Sequence, residues 1–226
     1  MPSLTRRLTA EALGTAFLLM SIIGSGIMGE RLAGGNVALA LLANSLATGG
    51  ALIVLILVLG PISGAHFNPA VTLAALSRRD IRGNDALLYI VVQIVAAFAG
   101  VAAAHFMFGE PMFSASVKIR TGPAQWASEF IATFGLLTVI WGCARYHRLT
   151  TTAAAVSAYI VSAYWFTSST SFANPAVTLA RAASNTFAGI RPDDIIGFLV
   201  AQLAGAMAAT FLFQWLSAPP IASKRR

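Results

Sequence analysis

Charge is scarce in this chain, and that scarcity excludes most soluble folds. Only 10% of the 226 residues are Asp, Glu, Lys or Arg, against roughly 25% in a typical globular domain. Too little charge remains to coat a water-facing surface, while 57% of the residues are hydrophobic. Cysteine is scarcer still. The single Cys143 excludes an intramolecular disulfide and a thiolate metal cluster, and at the end of an apolar run it reads as a small packing residue. His66, His105 and His147 have no paired carboxylate or metal-ligand spacing around them, and Ser63 has no base at motif spacing, so catalysis and cofactor binding have no case. A basic stripe is missing too. The net charge of +7 comes from 15 Lys and Arg against 8 Asp and Glu, but these gather at the ends of apolar runs. That pattern anchors a chain in a lipid bilayer and excludes a nucleic-acid partner.

Long apolar runs are what the chain does have. Runs of about 20 residues match the length a helix needs to cross a hydrocarbon core of roughly 30 Å. They are far longer than barrel strands, leaving helices to satisfy the backbone. Arg6 and Arg7 before an apolar stretch imitate a signal peptide, yet the stretch continues for a full membrane width, so it reads as a first span. Six spans are predicted: Leu8 to Met28, Val37 to Leu59, Ala86 to Phe108, Ala124 to Arg145, Thr150 to Trp165 and Asp194 to Leu216. The fifth is the weakest, diluted by Ser157, Ser162 and the Thr167 to Ser171 cluster. Gly60 to Gly64 reads as a loop from its Gly and Pro content.

Two shorter stretches, Pro69 to Leu76 and Pro175 to Ala183, are too short to cross. Each opens on Asn followed by Pro, a good N-cap and a good first helical residue. The phrase Asn-Pro-Ala-Val-Thr-Leu-Ala stands at Asn68 to Ala74 and again at Asn174 to Ala180. Gln93 and Gln202 follow in matching spans, and Glu11 and Glu129 lie in the opening span of each half. The expectation is one domain over residues 1–226, built from repeats of about 1–112 and 113–226. Three crossings per half make the repeats inverted. The fold class is therefore all-α, with six transmembrane helices and two re-entrant half-helices.

Placing the N-terminus inside puts Arg6, Arg7, Arg78, Arg79, Arg82, Arg145, Arg148, Lys224, Arg225 and Arg226 in the cytoplasm. Arg31, Lys118, Arg120, Arg181 and Arg191 then lie outside. That bias predicts cytoplasmic termini.

Opposed half-helices would meet N-terminus to N-terminus near the midplane, with Asn68 and Asn174 as caps. Each end carries orphan donors and about half a positive charge, which lines an aqueous path better than it faces lipid. The asparagine oxygens cap while the amide N–H groups remain to donate to a passing water or hydroxyl. That arrangement passes neutral polar molecules and impedes protons and cations. Glu11 and Glu129 read as acceptors for loop backbone N–H groups, with a proton relay as the alternative. Gly14, Gly49, Gly50, Gly100, Gly135 and Gly205 read as helix-packing positions.

The text Ser63-Gly64-Ala65-His66-Phe67-Asn68-Pro69-Ala70-Val71-Thr72, with Phe172-Ala173-Asn174-Pro175-Ala176, closely resembles the major intrinsic protein family, the aquaporins and aquaglyceroporins. Ala10 to Thr15 resembles the family's opening helix, and Glu129 with Phe130 its fourth. The resemblance implies a homotetramer in the cell's inner (plasma) membrane, one pore per subunit, and a filter of four positions on the outer side of the asparagines. By motif offset these fall on Thr48, Ser162, Ser171 and Val177, Ser162 standing twelve residues before Asn174. Family members nearly always carry Arg where this chain has Val177, and valine there resembles a bacterial subgroup linked to arsenic resistance. His66 reads as a pore-side residue, supporting or gating, with pH sensitivity or a structural role open. Phe172 reads as pore wall or as loop packing, and Arg181 as an interfacial anchor or as a charge reaching back to the mouth.

A filter of small and medium residues is wide. The resemblance therefore implies passive flux of small neutral solutes: arsenite as As(OH)3, glycerol, urea-like molecules and water. A water-selective aquaporin, an ion-permeable channel and a closed-pore adhesion or scaffold protein are the alternatives. If valine widens the filter, Val177→Arg should cut arsenite and glycerol flux in proteoliposomes far more than water flux, with the protein still inserted. Equal solute flux in both proteins would show that position 177 does not set size selection.

Overall fold

The computed structural model describes residues 2–144 and 148–217. Arg145, which closes the fourth predicted span, and His147, Lys224, Arg225 and Arg226 lie outside the described residues. The chain is all-α, in the order α1 (Leu4–Leu32), α2 (Val37–Ser63), α3 (Pro69–Ser77), α4 (Gly83–Phe108), α5 (Pro123–Ala144), α6 (Leu149–Phe166), α7 (Pro175–Arg181) and α8 (Ile195–Leu216). A short 3₁₀ turn, Pro192–Asp194, leads into α8. Helices α1, α2, α4, α5 and, with that turn, α8 are long and apolar enough to cross a membrane. The sixth long helix, α6, has 18 residues and is the shortest, in line with its diluted hydropathy. Exposed Leu, Ile, Val and Phe side chains cover the outside, as a lipid-facing surface requires. The chain is a multi-span membrane protein.

Several ends differ from expectation. α1 runs four residues further in each direction than Leu8 to Met28. α2 continues through Gly60 and Pro61 to Ser63, where a loop was expected. Proline removes one N–H and ordinarily breaks a helix interior. Pro61, however, stands in the last turn, so only the carbonyl one turn back loses a partner. The stop falls at Gly64, whose φ of 89° is left-handed and whose N–H donates to the Gly60 carbonyl at 2.9 Å. α7 ends at Arg181, two residues before the predicted Ala183.

Helix α1 packs along α2 and α4, and α5 along α6 and α8; α2 against α6 joins the two halves. Arg7 pairs with Asp85 where α1 and α4 begin, and Arg31 with Glu110 where both end, so these helices run parallel. Chain direction then puts the start of α1 and the ends of α2, α3, α5 and α8 on one face, here the terminal face. The ends of α1, α4, α6 and α7 lie on the far face. The half-helices pack on α4 and α8 and meet each other tip to tip.

Without a hydrophobic drive between helices in lipid, close backbone approach is what holds them together. At Gly100 an added Cβ would lie 2.4 Å from the Ala16 carbonyl oxygen, so α1 and α4 touch backbone to backbone there. Gly50 differs from the packing role expected of it, because nothing stands within 4 Å of a Cβ placed there. Gly100→Val should therefore destabilise the folded protein by roughly 1–3 kcal/mol, the usual cost of overpacking, while Gly50→Val stays near neutral. Unfolding midpoints in detergent check both.

Candidate functional site

The two short loops before α3 and α7 carry the site, and both are built in conformations that side chains resist. Ala65 and Phe67 before α3 have φ of 51° and 47°, and Ser171 and Ala173 before α7 have φ of 51° and 49°. Such left-handed residues cost on the order of 1–3 kcal/mol each and persist only where their surroundings over-determine them. Two buried carboxylates do so here. Glu11 accepts from the His66 and Phe67 N–H groups at 3.0 and 2.7 Å, and Glu129 from Phe172 and Ala173 at 2.9 Å each. Gln93 Nε2 donates to Glu11 and to Thr72 Oγ1, and Gln202 Nε2 to Glu129 and Thr178 Oγ1. The halves thus repeat the network bond for bond.

With the N–H groups turned toward the carboxylates, loop carbonyls face the other way. Phe67 O accepts from Asn174 Nδ2, and Ala173 O from Asn68 Nδ2, both at 2.8 Å. Each asparagine also caps its own half-helix through Oδ1, Asn68 to Ala70 N at 2.8 Å and Asn174 to Ala176 N at 3.0 Å. An Asn amide has two N–H bonds. One is spent across the interface between halves, and one remains for whatever occupies the space beside it.

That space is a cavity of about 260 Å³ bordered by both asparagines and by residues on both sides of them. A single water needs only about 10–15 Å³ by this measure. His66, Ala75, Asp80 and Trp141 border it toward the terminal face; Thr48, Tyr164, Ser171, Phe172, Val177 and Arg181 border it toward the far face. His66 Nδ1 lies 3.0 Å from Thr72 Oγ1, with its ring edge-on to Tyr89.

Of the four expected filter positions, Thr48, Ser171 and Val177 border the cavity and Ser162 does not. Ser162 is exposed on the outside of α6, its hydroxyl bonded to the Ala158 carbonyl. The inward stripe of α6 is Val156, Ile160 and Tyr164, spaced one turn apart. Ser162 is two residues from Tyr164, roughly 200° around the helix. Tyr164 borders the cavity instead, its hydroxyl 3.2 Å from Thr48 Oγ1. The i, i+4 spacing was the signal in the sequence that marked it.

Arg181 also departs from the surface anchor. It is 2% exposed, and its guanidinium carbon lies 3.3 Å from the centroid of the Phe172 ring. Arg120, expected only as a far-side basic residue, lies 5.0 Å from the same centroid and donates to the Gly189 and Ser169 carbonyls. Phe172 itself packs edge-on against Phe198, so it serves as both cavity wall and loop packing. Beside this cluster, burial first and then the charges of Arg120 and Arg181 pull the Lys118 amine down to about 8. The far side of the cavity is thus a region of concentrated positive charge. Among the described residues, no group of three His, Cys, Asp or Glu could hold a metal ion.

The major intrinsic protein family model matches residues 1–165. Aquaglyceroporin AqpS of Rhizobium meliloti (strain 1021) is 54% identical over 217 residues, 96% of this chain and 92% of that protein. Aquaporin AqpM of Methanothermobacter thermautotrophicus is 33% identical over 169 residues, 64% of this chain and 67% of its own length. The X-ray structure of the aquaglyceroporin from Plasmodium falciparum has the same fold, with a TM-score of 0.73 at 22% identity over 94% of this chain and 95% of that one. A family match over most of the sequence and a relative matched along nearly its whole length agree with the paired half-helices, and the chain belongs to the major intrinsic protein family of passive membrane channels.

Proposed function

We propose that the cavity is a pore for small neutral hydroxylated solutes: glycerol and water, and with them urea-like molecules and arsenite as uncharged As(OH)3. The observation that carries this reading is the lining on the far side of the asparagines. Thr48, Tyr164 and Ser171 supply hydroxyls there, and the Ser171 hydroxyl is buried without a protein partner. Val177 and Phe172 supply apolar surface beside them. A polyol has the same mixture of hydroxyl and C–H faces, and orientation by a few polar groups on an apolar wall is how small-molecule sites ordinarily discriminate. A lining of serine, threonine, tyrosine and valine also leaves more room than one carrying a second large cation at Val177 would, the side-chain trait shared with the arsenic-linked subgroup.

A barrier to proton passage at the centre follows from Asn68 and Asn174. A water that accepts from both free amide N–H groups points its own protons outward on each side, and the positive ends of α3 and α7 add to the barrier. The same reading takes the protein as a homotetramer in the cell's inner (plasma) membrane with cytoplasmic termini. Support for that orientation is the gathering of Arg7, Arg78, Arg79, Arg82 and Arg148 toward the terminal face.

Reconstitution tests the proposal. Proteoliposomes should swell in glycerol and urea and take up arsenite faster than empty vesicles, with no accompanying membrane current. Water flux without glycerol flux would replace the reading with a water-selective pore, measurable current with an ion channel, and no flux at all together with vesicle clustering with an adhesion protein. The corrected lining gives a second expectation. Tyr164→Ala should raise flux of polyols larger than glycerol severalfold, while Ser162→Ala, outside the cavity, should leave every flux unchanged.

A further inference from the structure

Val177 offers only methyl groups to the cavity, and the first cation beyond it on the same face of α7 is Arg181, one turn on. A surface anchor would be solvated and ion-paired. Arg181 is neither: it is buried, and no carboxylate forms an ion pair with it among the described residues. Its Nε donates to the Ala188 carbonyl, but Nη1 is buried with no partner in the protein. Both buried carboxylates on this side are already occupied, Glu129 by Phe172, Ala173 and Gln202, and Asp194 by the Arg120 N–H and the Arg191 guanidinium. Holding a permanent charge out of water without a counter-ion is costly, so the guanidinium fits a partner that comes and goes, a water or solute oxygen in the cavity that Arg181 borders.

The ring beneath it explains how a charge fits without closing the bore. With its carbon 3.3 Å from the Phe172 centroid, the guanidinium lies on the aromatic face, where a planar group can lie close to the ring. It takes up the wall rather than the middle. Arg120 adds a second positive charge near the same ring. On α3 the matching position is Ala75, which also borders the cavity. The two half-helices are identical for seven residues and part at the eighth, where one has a methyl group and the other a cation.

We infer that Arg181 is the selectivity residue of the far mouth: its guanidinium, laid on Phe172, bars cations and donates to passing neutral solutes, while Val177 keeps the bore wide. The inference rests on the neutral-solute pore proposed above.

Sodium permeability and glycerol flux, measured on the same proteoliposomes, test it. The wild type should pass glycerol and exclude sodium. Arg181→Gln should keep glycerol flux and raise sodium permeability by roughly ten- to a hundredfold, the scale of one unit charge acting across a few Å of partly hydrated space. Arg181→Met, which keeps apolar length against Phe172, is read the same way should the glutamine variant fail to insert. Moving the charge one turn inward, in Val177→Arg/Arg181→Gln, should restore sodium exclusion and cut glycerol flux severalfold. Continued sodium exclusion in an inserted, glycerol-conducting Arg181→Gln or Arg181→Met would overturn the inference, as would a wild type that leaks sodium while conducting glycerol. A wild type that conducts no glycerol would instead overturn the pore reading on which it rests.

Discussion

Everything at the centre of this protein depends on two carboxylates buried where lipid surrounds the fold. Glu11 and Glu129 each collect two consecutive loop N–H groups and one glutamine amide. Hydrogen bonds to a charged acceptor contribute about 1.5–3 kcal/mol apiece, enough together to hold neighbouring residues in left-handed conformations. Phe67 shows how much holding is needed, since a bulky side chain at positive φ is a rare outlier. Its ring then fills the space beside α1, where a Cβ at Gly14 would collide with it. Once the N–H groups are committed, the carbonyls and asparagine amides have only one place left to point.

On the function proposed above, the same arrangement separates two tasks that one residue could have combined. The asparagines sit at the meeting of the half-helices and act on hydrogen-bond direction, a property every water and hydroxyl has. The far-side lining of Thr48, Tyr164, Ser171, Val177 and Phe172 acts on size and on the balance of polar to apolar surface. Positive charge sits to one side of that lining, held against an aromatic ring and by backbone carbonyls. Asp80 borders the cavity toward the opposite face, paired with Arg78. The bore is symmetric in its backbone and asymmetric in its charge.

Sequence patterns revealed the skeleton well because its causes are local. Apolar runs mark helices in lipid, Asn followed by Pro marks a half-helix start, and a repeated phrase marks a repeated structure. Even Pro61 misled by only four residues, as a proline in a final helical turn removes a bond that the turn can spare. The lining was harder to read. Counting twelve residues back from Asn174 landed on Ser162, because a fixed offset carries an assumed loop shape, and here the loop of Ser169 to Ala173 is folded on Glu129. Tyr164 needed helical phase rather than distance along the chain. Arg181 stayed open between surface anchor and mouth charge for another reason: its burial depends on the Phe172 ring and the Ala188 carbonyl, contacts that helical spacing does not reveal.

The crossed bonds between Asn68 and Ala173 and between Asn174 and Phe67 also bear on how the chain is made. Synthesis delivers the first half before the second, and until residues 172–174 arrive, the Asn68 amide and the Phe67 carbonyl have no native partner. Both are polar groups at membrane depth, where an unmet hydrogen bond is expensive. The first re-entrant loop can therefore enter early but cannot finish early. The centre of the pore is closed only when both halves are present, and then on both loops together.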